Sequence, residues 1–190
     1  AGFSIAQLGH TGMGLEILKD IHYYAPIAFT LMAIGFMTKL ASIGLHIWLP
    51  GAHAEAEADV SPMVSAILLK AGVLGLVMLF LSMGPQKLFG IDVLYALSWV
   101  GVLTALMGNM MAAFQEDAKR LLAYSSIGVL GYALFGLTMM SHLGWLASLS
   151  IVVTHFMFKS LLFLAIGGVV MRTKTKYMYQ MGGLIKQMPF

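Results

Sequence analysis

Apolar residues run along this chain in long blocks. Five stretches, 25–49, 63–83, 93–114, 121–141 and 143–171, are almost free of charge. A bilayer core about 30 Å thick is crossed by roughly 20 apolar residues of helix, so each stretch predicts a transmembrane helix. The connections at 50–62, 84–92 and 115–120 and the two-residue link Ser141-His142 are short. No linker divides the chain, which predicts a single all-α, polytopic membrane unit of about five transmembrane helices. Residues 1–24 mix Gly, His, Glu16, Lys19 and Asp20 around Leu15, Ile17 and Leu18, the pattern of an interfacial loop carrying a short amphipathic helix. Residues 172–190 form a basic segment after the last span.

Composition agrees with the pattern. Of 190 residues, 59% are hydrophobic and 10% charged, and the mean hydropathy is +0.87. A soluble domain carries about 25% charged residues, so a soluble enzyme, a nucleic-acid reader and a disordered chain are all excluded. The net charge of +3 is concentrated at Arg172, Lys174, Lys176 and Lys186, where a juxtamembrane tail meets anionic lipid headgroups. Membrane lipid is therefore an expected partner and nucleic acid is not. The chain has no Cys, so it cannot build a disulfide framework, a thiolate metal site or an iron–sulfur cluster alone. No cofactor is expected. The first residue is Ala and no signal-peptide pattern follows it, which predicts a processed chain or an excerpt of a longer one. Lys119, Arg120 and the tail outweigh Lys19 and Lys87 on the opposite side. The positive-inside rule then places the N-terminus outward and the C-terminus on the cytoplasmic or matrix side.

The informative residues are three lysines within the apolar stretches, Lys39, Lys70 and Lys159. A charge at the centre of a membrane helix costs about 2.5–3.5 kcal/mol on insertion scales, and such residues face protein interiors or water-filled pathways. Burial disfavours the charged form of an amine and so makes it a group that takes up and releases protons. His155 and Lys159 are four residues apart, on one helix face about 6 Å from each other, with Thr154 beside them to hold a water. In the first span, Lys39, Ser42 and His46 follow at i, i+3 and i+7 and predict a second polar face. Asn109 is a further polar group at membrane depth, of the kind that bonds across helices. The His–Lys pairs lack the carboxylate or thiolate partners that metals select, so a proton relay is expected and a metal site is not. Gly35 and Gly44 bracket Lys39, and with Pro50 they predict a loosened helix whose freed carbonyls line a cavity. Gly72, Gly75, Gly128 and Gly131 are read instead as sites of close helix packing, and Trp48 as an interfacial anchor.

These residues, in this order, resemble a known family. Lys39-Leu40-Ala41-Ser42, then Leu45-His46-Ile47-Trp48-Leu49-Pro50 and Ala52-His53, look like a segment of the antiporter-like subunits. Those subunits occur in respiratory complex I, in membrane-bound hydrogenases of the hydrogenase-4 and formate hydrogenlyase type, and in Mrp-type sodium/proton antiporters. Ile67-Leu68-Leu69-Lys70-Ala71-Gly72, Asp117-Ala118-Lys119-Arg120-Leu121 and Thr154-His155-Phe156-Met157-Phe158-Lys159 are similar to later segments of the family, as is Met181-Gly182-Gly183-Leu184. The resemblance implies part of an inverted-repeat bundle, about helices seven to eleven, with one interrupted lysine helix. It implies proton translocation, with Lys39 as the pump lysine of a first half-channel, Lys70 as an intermediate station and His155 with Lys159 as the central relay. Ser42, His46, Asn109 and Thr154 would support the water path. It also implies partner membrane subunits that supply redox energy. Sodium is the alternative ion and a non-pumping scaffold the alternative role. The membrane would be a bacterial or archaeal cytoplasmic membrane, or the mitochondrial inner membrane. No nucleophile, metal cage or nucleotide loop is present, so redox catalysis is not expected of this chain. The departures are Gly44 in place of a common Pro, Gly51 in place of Asp, and the acidic loop Glu55-Ala56-Glu57-Ala58-Asp59 in place of a Pro-rich stretch. The glutamate that the family pairs with its first lysine has no counterpart in 1–24.

Overall fold

The computed structural model describes residues 12–57 and 60–184. Helix α1 spans Gly12–Leu40, α2 Trp48–Glu55, α3 Val60–Met83, α4 Val93–Ala113, α5 Ala118–Thr138 and α6 His142–Thr173. Four of these, α3 to α6, are long and apolar enough to cross a membrane, and the apolar part of α1, Tyr24–Leu40, is shorter. The chain is thus an integral membrane protein, with four full spans and one shorter apolar helix among the described residues where about five spans were expected. The difference lies in the first stretch, expected as one helix over 25–49, which breaks after Leu40. At the other end the helix already begins at Gly12. The helix expected within the 1–24 segment is therefore present from Gly12 but runs on unbroken into the first apolar stretch instead of ending as a short interfacial one, while residues 1–11 lie outside the described residues, as do Asp59 and Lys186.

The break has a clear backbone cause. Ala41 and Gly44 take positive φ, 56° and 84°, a region that Gly enters at little cost and Ala does not. The groups released from the helix find other partners. The Trp48 indole donates to the Thr38 carbonyl at 3.0 Å, and the Ile43 amide donates to Thr104 Oγ1 of α4, also at 3.0 Å. Ser42 Oγ donates back to the Met37 carbonyl at 3.3 Å. Non-helical backbone at membrane depth persists where protein satisfies it, as happens here. Trp48 thus ties the two sides of the break together.

Small residues set the packing of α4 on α5, the most extensive helix contact in the chain. A Cβ added to Gly108 would lie 2.6 Å from the Gly128 amide nitrogen. On the other side of the break, a Cβ on Gly72 would meet the Phe36 carbonyl oxygen of α1 at 2.9 Å. These glycines let backbones approach, as in membrane helix pairs generally. Between α3 and α4, Lys87–Leu88 (β1) pairs antiparallel with Ile91–Asp92 (β2). Phe89 and Gly90, both at positive φ, make the two-residue turn that suits a tight hairpin, and Asp92 then caps α4 through the Leu94 amide at 2.9 Å.

Asp117 organises the opposite end of the bundle. Its Oδ1 accepts from the Lys119 amide at 2.9 Å and the Arg120 amide at 3.3 Å, capping α5. Its Oδ2 lies 3.8 Å from Lys176 Nζ, and the Ala118 amide donates to the Lys176 carbonyl at 3.2 Å. The segment after α6 is therefore pinned onto the start of α5. Asp117→Ala should cost about 1 kcal/mol through the lost cap. Hydrogen exchange should accelerate at 118–121 and 176–178 together, and acceleration at the first site alone would separate the cap from the pin.

Candidate functional site

Helix α6 is exposed around most of its circumference, with only 17% of its apolar window buried. Its buried stripe is His155, Lys159, Phe163 and Gly167, spaced at i, i+4, i+8 and i+12 on one face. His155 is 0% exposed and Lys159 is 2% exposed, so both polar side chains point into protein, as the cost of exposing them to lipid demands. Lys159 Nζ donates to the Leu122 carbonyl of α5 at 3.0 Å and to Ser125 Oγ. It also lies 5.7 Å from the centroid of the Phe158 ring.

Lys70 reaches this stripe from α3. Its Nζ is 2.7 Å from His155 Nδ1, across 85 residues of sequence, and 2.5 Å from the carbonyl oxygen of Ser65. That carbonyl belongs to a π-helical turn, Val64–Leu68, built into α3 just before Lys70. Such turns interrupt the regular ladder and recur at functional sites. The same residue's hydroxyl, Ser65 Oγ, is 3.4 Å from Ser126 Oγ on α5. Lys70 is half-buried because it also borders an apolar groove of about 530 Å³ between α3 and α6, lined in part by Ala66, Val73 and Val152.

Three of the expected site residues, Lys70, His155 and Lys159, therefore come together, and the others do not. Lys39 is exposed and has no hydrogen-bond or ion-pair partner among the described residues. It was expected to face protein, but α1 packs chiefly on α3 alone and sits at the edge of the described bundle. The expected face of Lys39, Ser42 and His46 does not exist, since the break at Ala41–Ile47 destroys the helical register. Ser42 is buried and turned back on α1. His46 is half-buried, its ring 6.3 Å from that of Tyr124, and its Nδ1 is buried without a partner. Thr154 is exposed and bonds its own helix at the Ser150 and Ile151 carbonyls, because it projects away from the buried stripe. Asn109 is exposed too. It bonds the Ala105 carbonyl at 2.8 Å and the Tyr132 hydroxyl at 3.4 Å, and makes no hydrogen bond to Lys70, His155 or Lys159. Sequence reasoning did not reach Ser65, Ser125 or the Leu122 carbonyl. Serine in an apolar helix is ordinary, and a backbone carbonyl has no sequence signal at all.

A half-buried amine held against a buried imidazole, with a buried amine one turn away, is an arrangement whose groups can chemically exchange protons. The profile of the family described as "NADH:quinone oxidoreductase/Mrp antiporter, TM" matches residues 10–190. The chain belongs to this family. It is 36% identical over 94% of its length to an NAD(P)H-quinone oxidoreductase chain 4 of a Synechococcus strain, of which it covers 34%. It is 33% identical over 87% of its length to Hydrogenase-4 component B of Escherichia coli, of which it covers 26%. The chain thus spans about a third of the length of the curated relatives it matches. Among solved structures, the membrane-bound sulfane sulfur reductase, an archaeal respiratory membrane complex, aligns with TM-score 0.75 and 31% identity over 90% of this chain and 30% of the other. The Mrp complex of a Dietzia species aligns with TM-score 0.70 and 22% identity over 89% of this chain and 30% of the other. That last likeness is one of fold. The antiporter-like membrane fold expected from the motifs is the fold found.

Proposed function

We propose that this antiporter-like segment translocates protons across an energy-transducing membrane through Lys70, His155 and Lys159. The observation that carries the proposal is the 2.7 Å contact between Lys70 Nζ and His155 Nδ1, with Lys159 buried on the same face of α6. An imidazole accepts a proton at one ring nitrogen and releases one from the other. His155 can therefore exchange with Lys70 at Nδ1, while its Nε2, buried without a protein partner, serves the onward direction toward Lys159. Lys39 has a place in this scheme as the input group of the path. Driving energy comes from partner membrane subunits of a multisubunit redox or antiporter complex, a reading supported by the similar solved structures being an Mrp complex and an archaeal respiratory membrane complex. The basic segment after α6 lies on the cytoplasmic or matrix side in this scheme, and the N-terminus faces outward.

The test is proton flux in proteoliposomes carrying the intact complex that contains this chain. Lys70→Leu and His155→Leu should each lower flux, and the double variant should lose no more than the worse single one, because two members of one relay are not additive. Fully additive losses would mean two separate roles and would remove the relay. Sodium-free medium settles the ion: flux that requires sodium assigns the transport to sodium exchange.

A further inference from the structure

His53 presents a feature that the relay does not use. It is 0% exposed, yet both of its ring nitrogens lack a hydrogen-bond partner. Its ring stacks on Phe163 of α6, with centroids 4.5 Å apart and an angle of 18° between the planes. Phe163 is one turn beyond Lys159 on the buried stripe, so His53 extends the same line of side chains onto α2. Ser61, in the first turn of α3, is likewise 0% exposed with its hydroxyl unpartnered, and that turn packs on α6. Lys119 closes this end by donating to the Ala56 carbonyl at 2.7 Å. Burial first, and then the charges of Lys159 and Lys119, push the pKa of the His53 ring down to about 4, so its imidazolium is short-lived and gives up its proton readily. Glu55, the last residue of α2, and Glu57 just after it are exposed.

Buried polar atoms are almost always bonded, to protein or to ordered water. Two buried ring nitrogens and a buried hydroxyl left without protein partners, at the end of the His155–Lys159–Phe163 stripe, are groups that ordered water can bond. We propose that His53 is a proton station beyond Lys159 on the α2 side of the stripe, with the Ser61 hydroxyl as a further group that water can bond. The proposal rests on the relay above and extends it to α2. A proton from water at the C-terminal end of α2 binds one ring nitrogen to give the imidazolium. The other ring nitrogen releases its proton through water to the neutral amine of Lys159, and the ring returns to its other tautomer. No electrons are exchanged, and the one proton taken up equals the one delivered.

The experiment compares proton flux in proteoliposomes of the intact complex for His53→Phe, His53→Gln and Lys159→Met. Phe keeps the stack on Phe163, and Gln keeps a polar side chain of similar size, but neither carries a proton at this position. A loss of about tenfold or more in both, or in Gln alone should the Phe variant fail to assemble, is the expected result. Wild-type flux in either assembled His53 variant, with Lys159→Met inactive, overturns the station and leaves the relay standing. Wild-type flux in Lys159→Met overturns the relay and with it the route assigned to His53.

Discussion

Lys159→Met is expected to lower proton flux about 100-fold, the scale of a lost general acid–base group, in a complex that assembles normally. Both halves of the prediction follow from the surroundings of Nζ. Removing one partner of a buried hydrogen bond is costly when it orphans the other. Here nothing is orphaned, because the Leu122 carbonyl still accepts from Ser126 Oγ at 3.0 Å and from Ser125 Oγ at 3.1 Å. Met restores the aliphatic volume, and exchanging a buried charge for a well-packed apolar group is often neutral or stabilising. A lysine kept for structure alone should therefore be replaceable. A lysine kept for proton transfer should be replaceable for assembly and irreplaceable for flux. Proteoliposome flux measured beside complex yield separates the two, and normal flux in a normally assembled Lys159→Met complex removes the relay. Lys159→Arg sharpens the point: it keeps the charge but never gives up its proton, so it should be as inactive as Met.

The helices were legible because long uncharged apolar runs leave a membrane chain no other structure that satisfies its backbone. Close packing at Gly72, Gly128 and Gly131 was legible for a related reason, since small residues are where such helices meet. The interruption near Gly44 was readable as a loosened helix, but its extent was not. Ala41 takes positive φ because the Trp48–Thr38 and Ile43–Thr104 bonds compensate it, and those partners are distant or belong to the backbone. The 3.6-residue period carried through the break produced a face of Lys39, Ser42 and His46 that the chain does not possess. Polar residues out of place in apolar helices revealed Lys70, His155 and Lys159, but not that Lys70 meets His155 across 85 positions. The π-turn at Val64–Leu68 has no composition of its own. It was therefore invisible, although it turns the Ser65 carbonyl toward Lys70.

Gly131→Val is expected to prevent accumulation of the complex. A Cβ at this position would lie 2.4 Å from the Ala105 amide nitrogen, 2.8 Å from Ala105 Cα and 2.8 Å from the Gly101 carbonyl oxygen. All three obstacles are backbone of α4, so no side-chain rotation relieves them. Overpacking a core usually costs about 1–3 kcal/mol, and a β-branched residue here must force two helices apart along their contact. The consequence reaches the site, because α5 carries both partners of Lys159, the Leu122 carbonyl and Ser125. Gly168→Ala is the matched control. Its added Cβ meets nothing within 4 Å, and replacing a helix-interior Gly by Ala gains about 0.8–1.0 kcal/mol in helix propensity. Complex yield and thermal unfolding in detergent should therefore move in opposite directions for the two variants. Equal behaviour of both would mean that the approach of α4 to α5 is not what holds this bundle together.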